Sequence, residues 1–277
     1  MYMGKKRLDI LLVERNLIET REKAKRVVMA GLVFTEQMRL DKPGMKVEDD
    51  IPLTIKGKLM PYVGRGGLKL EKALDYFSLD VTNKIMIDVG SSTGGFTDCA
   101  LQNGAAFSYA VDVGYNQLDW KLRNDPRVEV MERTNFRYVT KDMLTRGLPN
   151  FATIDVSFIS LKLMLPVLNK LLEDCSDVVA LIKPQFEAGR EKVGRKGIVR
   201  DKKVHVDVVK EIIQFAKDNQ YNIIDLTYSP ITGGDGNIEF LAHFGWKKED
   251  ANFDVTDQKI EQVVNDAHAQ LKSTGTE

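Results

Sequence analysis

The chain has 277 residues, 43% of them apolar and 29% charged, with a formal net charge of zero, which is the balance of an ordinary soluble globular protein rather than a fibrous or disordered one. No stretch reaches the ~18 apolar residues that a membrane helix needs, and Asp9 and Glu14 interrupt the apolar run near the start, which argues against a signal peptide. Two cysteines (Cys99, Cys175) and three histidines (His205, His243, His268) without metal-ligand spacing lead to the expectation of a metal-free protein in a reducing compartment, the cytoplasm.

In chain order, residues 7–16 place Leu8, Leu11 and Leu12 on one helical face. A second helix follows Thr20, a residue suited to capping, with Ala24, Val27 and Val28 apolar and Arg21, Lys23, Lys25 and Arg26 crowding the remainder. Gly31 stops it, a strand-like 32–34 follows, and the turn Lys42-Pro43-Gly44 leads to strand candidates at 45–47 and 51–55. Residues 1–60 hold 13 Lys/Arg against 9 Asp/Glu. A module of this size buries a thin core, which suits an appended binding domain.

This module resembles the RNA-binding domain named after ribosomal protein S-four, the alpha-L fold. The matching features are Arg7-Leu8-Asp9, the basic helix 21–28, Ala30-Gly31-Leu32-Val33 and Lys42-Pro43-Gly44; Glu36-Gln37 stands where that family has asparagine-glycine. The resemblance implies RNA-backbone contacts from the basic helix, with Arg7, Arg21, Lys25 and Arg26 as candidates. The expected division is a domain at 1–59, a linker at 60–67 and a second domain at 68–277.

A helix is predicted at 67–77, with Leu70, Ala73, Leu74 and Phe77 inward. Four apolar runs then end in charged residues: 85–88 in Asp88, 107–112 in Asp112, 151–155 in Asp155 and 178–183 in Lys183. Helical segments alternate with them, a weaker strand sits at 128–131, and an amphipathic helix spans 201–219. This order predicts an α/β fold with βαβ units and a parallel sheet. Strands at 221–228 and 238–244, around Gly233-Gly234-Asp235-Gly236, resemble the antiparallel finish of the seven-stranded, Rossmann-like class I methyltransferase sheet. From Lys247 a polar helix keeps Val255, Ile260, Val263 and Val264 inward.

The most informative stretch is Asp88-Val89-Gly90-Ser91-Ser92-Thr93-Gly94-Gly95-Phe96, a strand end, a glycine turn and a helix start. Glycines admit a ligand to the backbone, and a helix N-terminus offers unpaired N–H groups. The spacing is not that of dinucleotide binders. A carboxylate at the strand end repels a pyrophosphate but accepts hydrogen bonds from an amine or ribose, which favours S-adenosylmethionine over NAD. The candidate cofactor residues are therefore Asp88, which either orients the loop or receives the methionine ammonium, with Gly90, Ser92, Gly94, Gly95 and Phe96. Asp112 stands about twenty residues further on, where a ribose-binding acid is expected. Asn135 either faces the adenine or is a simple turn asparagine.

Strand ends of an open sheet converge on the ligand crevice, so Asp88, Asp112, Asp155 and Lys183 should meet there. For Lys183 to act as a base near neutrality its pKa must fall by ~3 units, about 4 kcal/mol, and a neighbouring lysine can supply part of that. Lys69 is the candidate neighbour, although helical pattern alone makes it solvated and leaves Lys72 as a competitor. Glu239 reads equally as an exposed strand residue. In order, Lys69, Asp155, Lys183 and Glu239 match the Lys-Asp-Lys-Glu set of FtsJ-type ribose 2′-O-methyltransferases. With Gly64-Arg65-Gly66-Gly67-Leu68-Lys69, Asp155-Val156-Ser157-Phe158-Ile159-Ser160, Ile182-Lys183-Pro184-Gln185-Phe186-Glu187 and Gly236-Asn237-Ile238-Glu239-Phe240, the chain resembles the TlyA, or hemolysin A-like, family of ribosomal RNA methyltransferases.

That resemblance implies S-adenosylmethionine as cofactor, ribosomal RNA or ribosomal subunits as partner, cytidine as target, and neither DNA nor membrane as a substrate. It makes Lys69, Asp155, Lys183 and Glu239 catalytic. Segment 183–203 holds 8 Lys/Arg against 3 Asp/Glu, and its glycines at 189, 194 and 197 suggest a mobile basic cover. Arg65, Arg195, Lys196 and Arg200 join the candidate RNA contacts. Two other readings stand beside the enzyme: a catalytically silent ribosome-assembly factor, and a membrane-active hemolysin, which liposome leakage discriminates.

Overall fold

The computed structural model describes residues 4–36, 38–57, 60–194, 196–233, 236–248 and 255–273. The chain forms two units, Met1–Pro61 and Tyr62–Glu277. In the first, β1 (Lys5–Arg7) runs into α1 (Leu8–Glu14), and α2 (Arg21–Met29) follows. Thr20 caps α2 by accepting the Lys23 N–H at 3.2 Å. The helical spacing of Leu8, Leu11, Leu12 and of Ala24, Val27, Val28 places all six in the core. Next come β2 (Val33–Phe34), β3 (Arg39–Leu40), β4 (Lys46–Glu48) and β5 (Thr54–Ile55). β2 pairs antiparallel with β3 and β5, and β4 pairs antiparallel with β1. β1 and β3 were not foreseen, because two or three residues show no alternation.

The second unit begins earlier than the expected 60–67 linker allows. The Tyr62 ring is buried, its hydroxyl donates to Glu71 at 2.7 Å, and the Val63 N–H donates to Asp98 at 2.8 Å. Helix α3 (Gly66–Tyr76) already starts inside the linker range. The alternating elements are β6 (Ile85–Val89), α4 (Gly95–Gln102), β7 (Phe107–Val111), α5 (Trp120–Arg123), β8 (Val128–Met131), β9 (Phe151–Ile154), α6 (Leu165–Leu168), β10 (Ser176–Ile182), α7 (Pro184–Glu187), α8 (Lys202–Asp218), β11 (Tyr221–Tyr228), β12 (Phe240–Trp246) and α9 (Asp257–Ser273).

These strands build a seven-stranded sheet in the order β11-β12-β10-β9-β6-β7-β8. The ladders from β10 through β8 are parallel, and β12 alone runs against its neighbours. The expected α/β, Rossmann-like, mostly parallel sheet is therefore present. Period-two alternation sends Ile87 and Val89 to the face covered by α6, α8 and α9, and Met86 to the face covered by α3 and α4. α3 and α4 approach so closely that a Cβ on Gly95 would lie 2.7 Å from the Gly67 nitrogen.

Candidate active site

The strand order reverses around β6, which has β7 on one side and β9 on the other. In open α/β sheets the ligand crevice opens at that point, beyond the carboxyl ends of the strands. Three of the singled-out residues are the first past their strands: Asp112 after β7, Asp155 after β9 and Lys183 after β10. Glu239 immediately precedes β12, and the reversed direction of that strand brings its beginning to the same edge.

Lys69, Asp155, Lys183 and Glu239 form one cluster. Lys69 Nζ lies 2.8 Å from Glu239 Oε2 and 3.5 Å from Asp155 Oδ2, while Lys183 Nζ lies 2.6 Å from Asp155 Oδ1. Lys183 also donates to Ser157 Oγ at 3.1 Å, and Gln185 Nε2 donates to Glu239 Oε1 at 3.3 Å. Lys69 is only 8% exposed and Glu239 2%, so each buried charge is stable only because the other is there. Burial pushes the Lys69 ammonium towards neutrality, but Asp155 and Glu239 outweigh it and raise its pKa above the ordinary value. Lys69 is thus a buried cation held by two acids, not the solvated lysine of the helical pattern. Lys72, its competitor, lies over the Tyr228 ring instead, 3.4 Å from the centroid.

The cluster opens into a cavity of about 480 Å³ lined also by Arg65, Gly66, Gly90, Ser92, Gly95 and Phe96. A second cavity of about 330 Å³ shares Gly90, Ser92, Asp155, Ser157 and Phe158 with it, and adds Asp112, Asn135 and Phe136. Asp112 Oδ2 accepts the Ser92 N–H at 2.8 Å and Oδ1 the Gly114 N–H at 2.7 Å. Each oxygen keeps a second lone pair for a ligand. Gly90 has φ +85°, and a Cβ there would lie 2.6 Å from the Asp155 carbonyl oxygen, so only glycine fits. Asn135 caps a tight turn, its Oδ1 accepting the Arg137 N–H at 3.1 Å, while it also lines the second cavity.

Two expected cofactor residues line neither cavity. Asp88 lies inside β6 rather than past its end, and alternation turns it under α4. It is fully buried and accepts from the Thr97 N–H (3.1 Å), Thr97 Oγ1 (2.8 Å) and Thr153 Oγ1 (2.8 Å), so it anchors the helix start. Gly94 provides the left-handed turn before α4 at φ +92°, where a Cβ would strike Leu118 and Leu122. Burial outweighs the three donors to Asp88 and raises its pKa from 3.8 to about 6. A carboxyl whose folded pKa is raised favours folding most below the unfolded value, and that contribution is lost as pH rises through the folded one. Stability should therefore decline between pH ~4 and ~6 by at most about 3 kcal/mol. In Asp88→Asn that slope should vanish, which urea unfolding at a series of pH values checks.

Residues that the sequence reading left without a role complete the site. Phe158 is 90% exposed at a left-handed φ of +63°, and its ring lies 4.9 Å from that of Phe186. Both line the cavity of the cluster, as does Gln185, whose Oε1 is buried without a hydrogen-bond partner among the described residues. Outside both cavities, exposed Tyr115 carries Arg133 over its ring at 4.0 Å. The left-handed backbone that turns Phe158 into the cavity has no signal in the sequence, so only the fold reveals this residue.

Among the expected RNA contacts, Arg65 lines the cavity of the cluster. Arg7 and Arg21 share the fully buried Asp9, with Nε–Oδ distances of 3.0 Å each. The Arg7 hydrogen bonds, seconded by Arg21, hold the Asp9 carboxyl down at about 2 against the effect of burial. Lys25 pairs with Glu22 at 2.7 Å, and Arg26 donates to the Met60 carbonyl at 3.3 Å. Lys196 and Arg200 line a shallow cavity with Lys192, whereas Arg195 lies outside the described residues. Among the described residues no helix is long and apolar enough to cross a membrane.

A crevice at the switch point, lined by buried amines and acids, and a seven-stranded sheet with one reversed strand together point to the class of Rossmann-like methyltransferases. Residues 62–246 match the family model of FtsJ-like methyltransferases. A Bacillus subtilis (strain 168) relative, provisionally named rRNA methyltransferase YqxC, is 64% identical over 98% of this chain and 97% of its own. The 16S/23S rRNA (cytidine-2′-O)-methyltransferase TlyA of Mycobacterium tuberculosis is 37% identical over 94% of this chain and 96% of its own. A Streptococcus thermophilus structure provisionally called a hemolysin superposes with TM-score 0.77 at 54% identity, covering 99% of this chain and 100% of that one. The chain belongs to the FtsJ-like methyltransferase family, in its TlyA group, and its methyl donor is S-adenosylmethionine.

The residues present fit that donor. Asp112 has free lone pairs for the ribose diol, and Val111, Phe136, Ile159 and Met164 give the second cavity apolar walls for a base. The bare Gly90 backbone and the polar Ser91, Ser92 and Arg65 suit the amino-acid end.

Proposed function

We propose that this chain is a cytoplasmic 2′-O-ribose methyltransferase acting on cytidine in ribosomal RNA. The observation that carries the reading is the contact of Lys69, Asp155, Lys183 and Glu239 around a cavity that shares its lining with the donor-sized one. S-adenosylmethionine supplies, when bound, an electrophilic methyl on a sulfonium. Lys183, in its unprotonated state, takes the proton of the 2′-hydroxyl as that oxygen attacks. Asp155 orients Lys183 from one oxygen and Lys69 from the other, so a single carboxylate fixes the spacing of both amines. Glu239 neutralises Lys69 and, through Gln185, ties α7 to the start of β12. Holding hydroxyl and donor in line supplies much of the rate. Phe158 and Phe186 offer an aromatic face for a base swung out of its stack, as chemistry on a nucleotide within folded RNA requires.

The first unit supplies backbone affinity through Arg7, Arg21, Lys25 and Arg26, and the basic segment with Lys192, Lys196 and Arg200 adds phosphate contacts. Asp9 fans Arg7 and Arg21 from one buried point. Asp9→Ala is expected to weaken RNA binding by roughly tenfold and to flatten its salt dependence, each lost phosphate contact lowering the slope by ~0.7–0.9. The rate at saturating RNA should stay near wild type, as filter binding across a salt series with parallel turnover assays would register.

The deciding experiment offers small and large ribosomal subunits, free ribosomal RNA and DNA with a labelled methyl donor. Label should enter RNA alone, and alkali-resistant linkages should mark the modified ribose. Tight subunit binding with no transfer to any RNA would leave a silent assembly factor instead.

A further inference from the structure

The loop after β9 carries Asp155, Ser157 and Phe158, and its position is set at both ends. At its start the Asp155 N–H donates to the Val89 carbonyl at 2.9 Å. In its middle Ser157 accepts from Lys183. At its far end Glu187, the last residue of α7, accepts from Ser160 Oγ at 2.5 Å through Oε2 and from the Leu161 N–H at 2.8 Å through Oε1. Ser160 Oγ in turn accepts the Lys162 N–H at 3.1 Å, capping the short helical turn Leu161–Leu163.

Between these anchors stands Phe158 at φ +63° with its side chain in solvent. A bulky residue in the left-handed region is strained and persists only where its surroundings impose it. Its own ring cannot impose it, being almost entirely exposed. The loop and α7, with the Lys183 that precedes it, also carry the neighbouring rings of Phe158 and Phe186 and the paired side chains of Asp155 and Lys183. Only three residues separate Lys183 from Glu187, so α7 is a single short turn between the amine and the anchor.

We infer that Glu187 is a positioning residue: its two hydrogen bonds clamp the loop 155–161 onto α7, holding Phe158 in its strained conformation opposite Phe186 and Ser157 against Lys183. The inference rests on the proposed transferase reading for its kinetic arm only. Glu187→Ala removes both bonds, Ser160→Ala removes one, and Glu187→Gln keeps an acceptor for Leu161 with an amide that can donate to Ser160 Oγ.

Amide hydrogen exchange of residues 156–161 reads the clamp without catalysis. Protection should fall in the order wild type, Ser160→Ala, Glu187→Ala, with Glu187→Gln close to wild type. Single-turnover transfer at saturating S-adenosylmethionine should fall at least tenfold in Glu187→Ala and less than threefold in Glu187→Gln, and because residues 155–159 also line the second cavity, donor affinity by calorimetry should weaken in Glu187→Ala and not in Glu187→Gln. Unchanged exchange in Glu187→Ala overturns the clamp, as does an equal loss in the glutamine variant. If wild type transfers no methyl group yet exchange follows the predicted order, the transferase reading fails and the clamp stands.

Discussion

Lys183→Met is expected to lower methyl transfer by about 10³-fold, within the range of a lost general base, while S-adenosylmethionine and RNA both bind within about threefold of wild type. Methionine keeps the length of the stem that is enclosed after β10 and removes only the amine. The partners left behind, Asp155 and Ser157, border a cavity that water enters, and Asp155 retains Lys69. Donor contacts from Asp112 and the Gly90 turn are untouched. Lys183→Arg separates charge from basicity: arginine keeps the cation beside Asp155 but cannot give up its proton at working pH. Both variants should be equally inactive in single-turnover assays with labelled donor. An arginine variant retaining more than a tenth of the wild-type rate would show that Lys183 acts by its charge, and the base assignment would have to be abandoned.

The fold was readable because apolar runs, helical spacing and glycine turns are local signals, and their βαβ alternation implies a parallel sheet, whereas the strand order came only from the structure. The site was readable less evenly, for reasons that individual residues show. Asp112, Asp155 and Lys183 lie one step beyond the last paired residue of their strands, where a side chain is free to face the crevice. Asp88 ends an apolar run in the same way on paper, but Val89 continues the ladder, so Asp88 remains in register and is turned beneath α4. A shift of one residue reverses which face a side chain meets. Lys69 shows the opposite case. Its helix neighbours give no reason to bury a cation, and the acids that permit burial come from residues 155 and 239, which only the folded sheet brings near. Phe158 was quoted as part of a motif and given no role, because a left-handed backbone at a phenylalanine leaves no trace in composition or period. The two arginines on Asp9 were legible as basic residues, but their common anchor was not.

Asp155→Asn should be nearly as damaging as loss of the base, with transfer reduced by about 10²–10³-fold, since misplacing a reacting group by an ångström alone costs ~10². The side chain keeps its shape and its reach, but the amide presents one acceptor where the carboxylate presents two. One of the two lysines therefore faces an N–H group and is pushed away from it. Lys69 retains Glu239 at 2.8 Å, so Lys183 is the amine displaced. The cluster also changes from two acids and two amines to one acid and two amines. Its apparent titration, which belongs to the group as a whole, should move to lower pH because the carboxylates that hold Lys69 above its ordinary value are reduced from two to one. Residual activity of Asp155→Asn should thus reach its half-maximum at a lower pH than wild type, and a full pH–rate profile at saturating RNA would register the difference. A profile moved to higher pH, or a variant that loses donor binding in step with rate, would mean that Asp155 serves the donor rather than the amines. Asp155→Glu supplies the control for charge alone: the sign of the cluster is restored, but the longer side chain cannot bridge the two amines at their native spacing. Its pH profile should return to that of wild type while its rate stays low, because spacing and charge are separate duties of the same carboxylate.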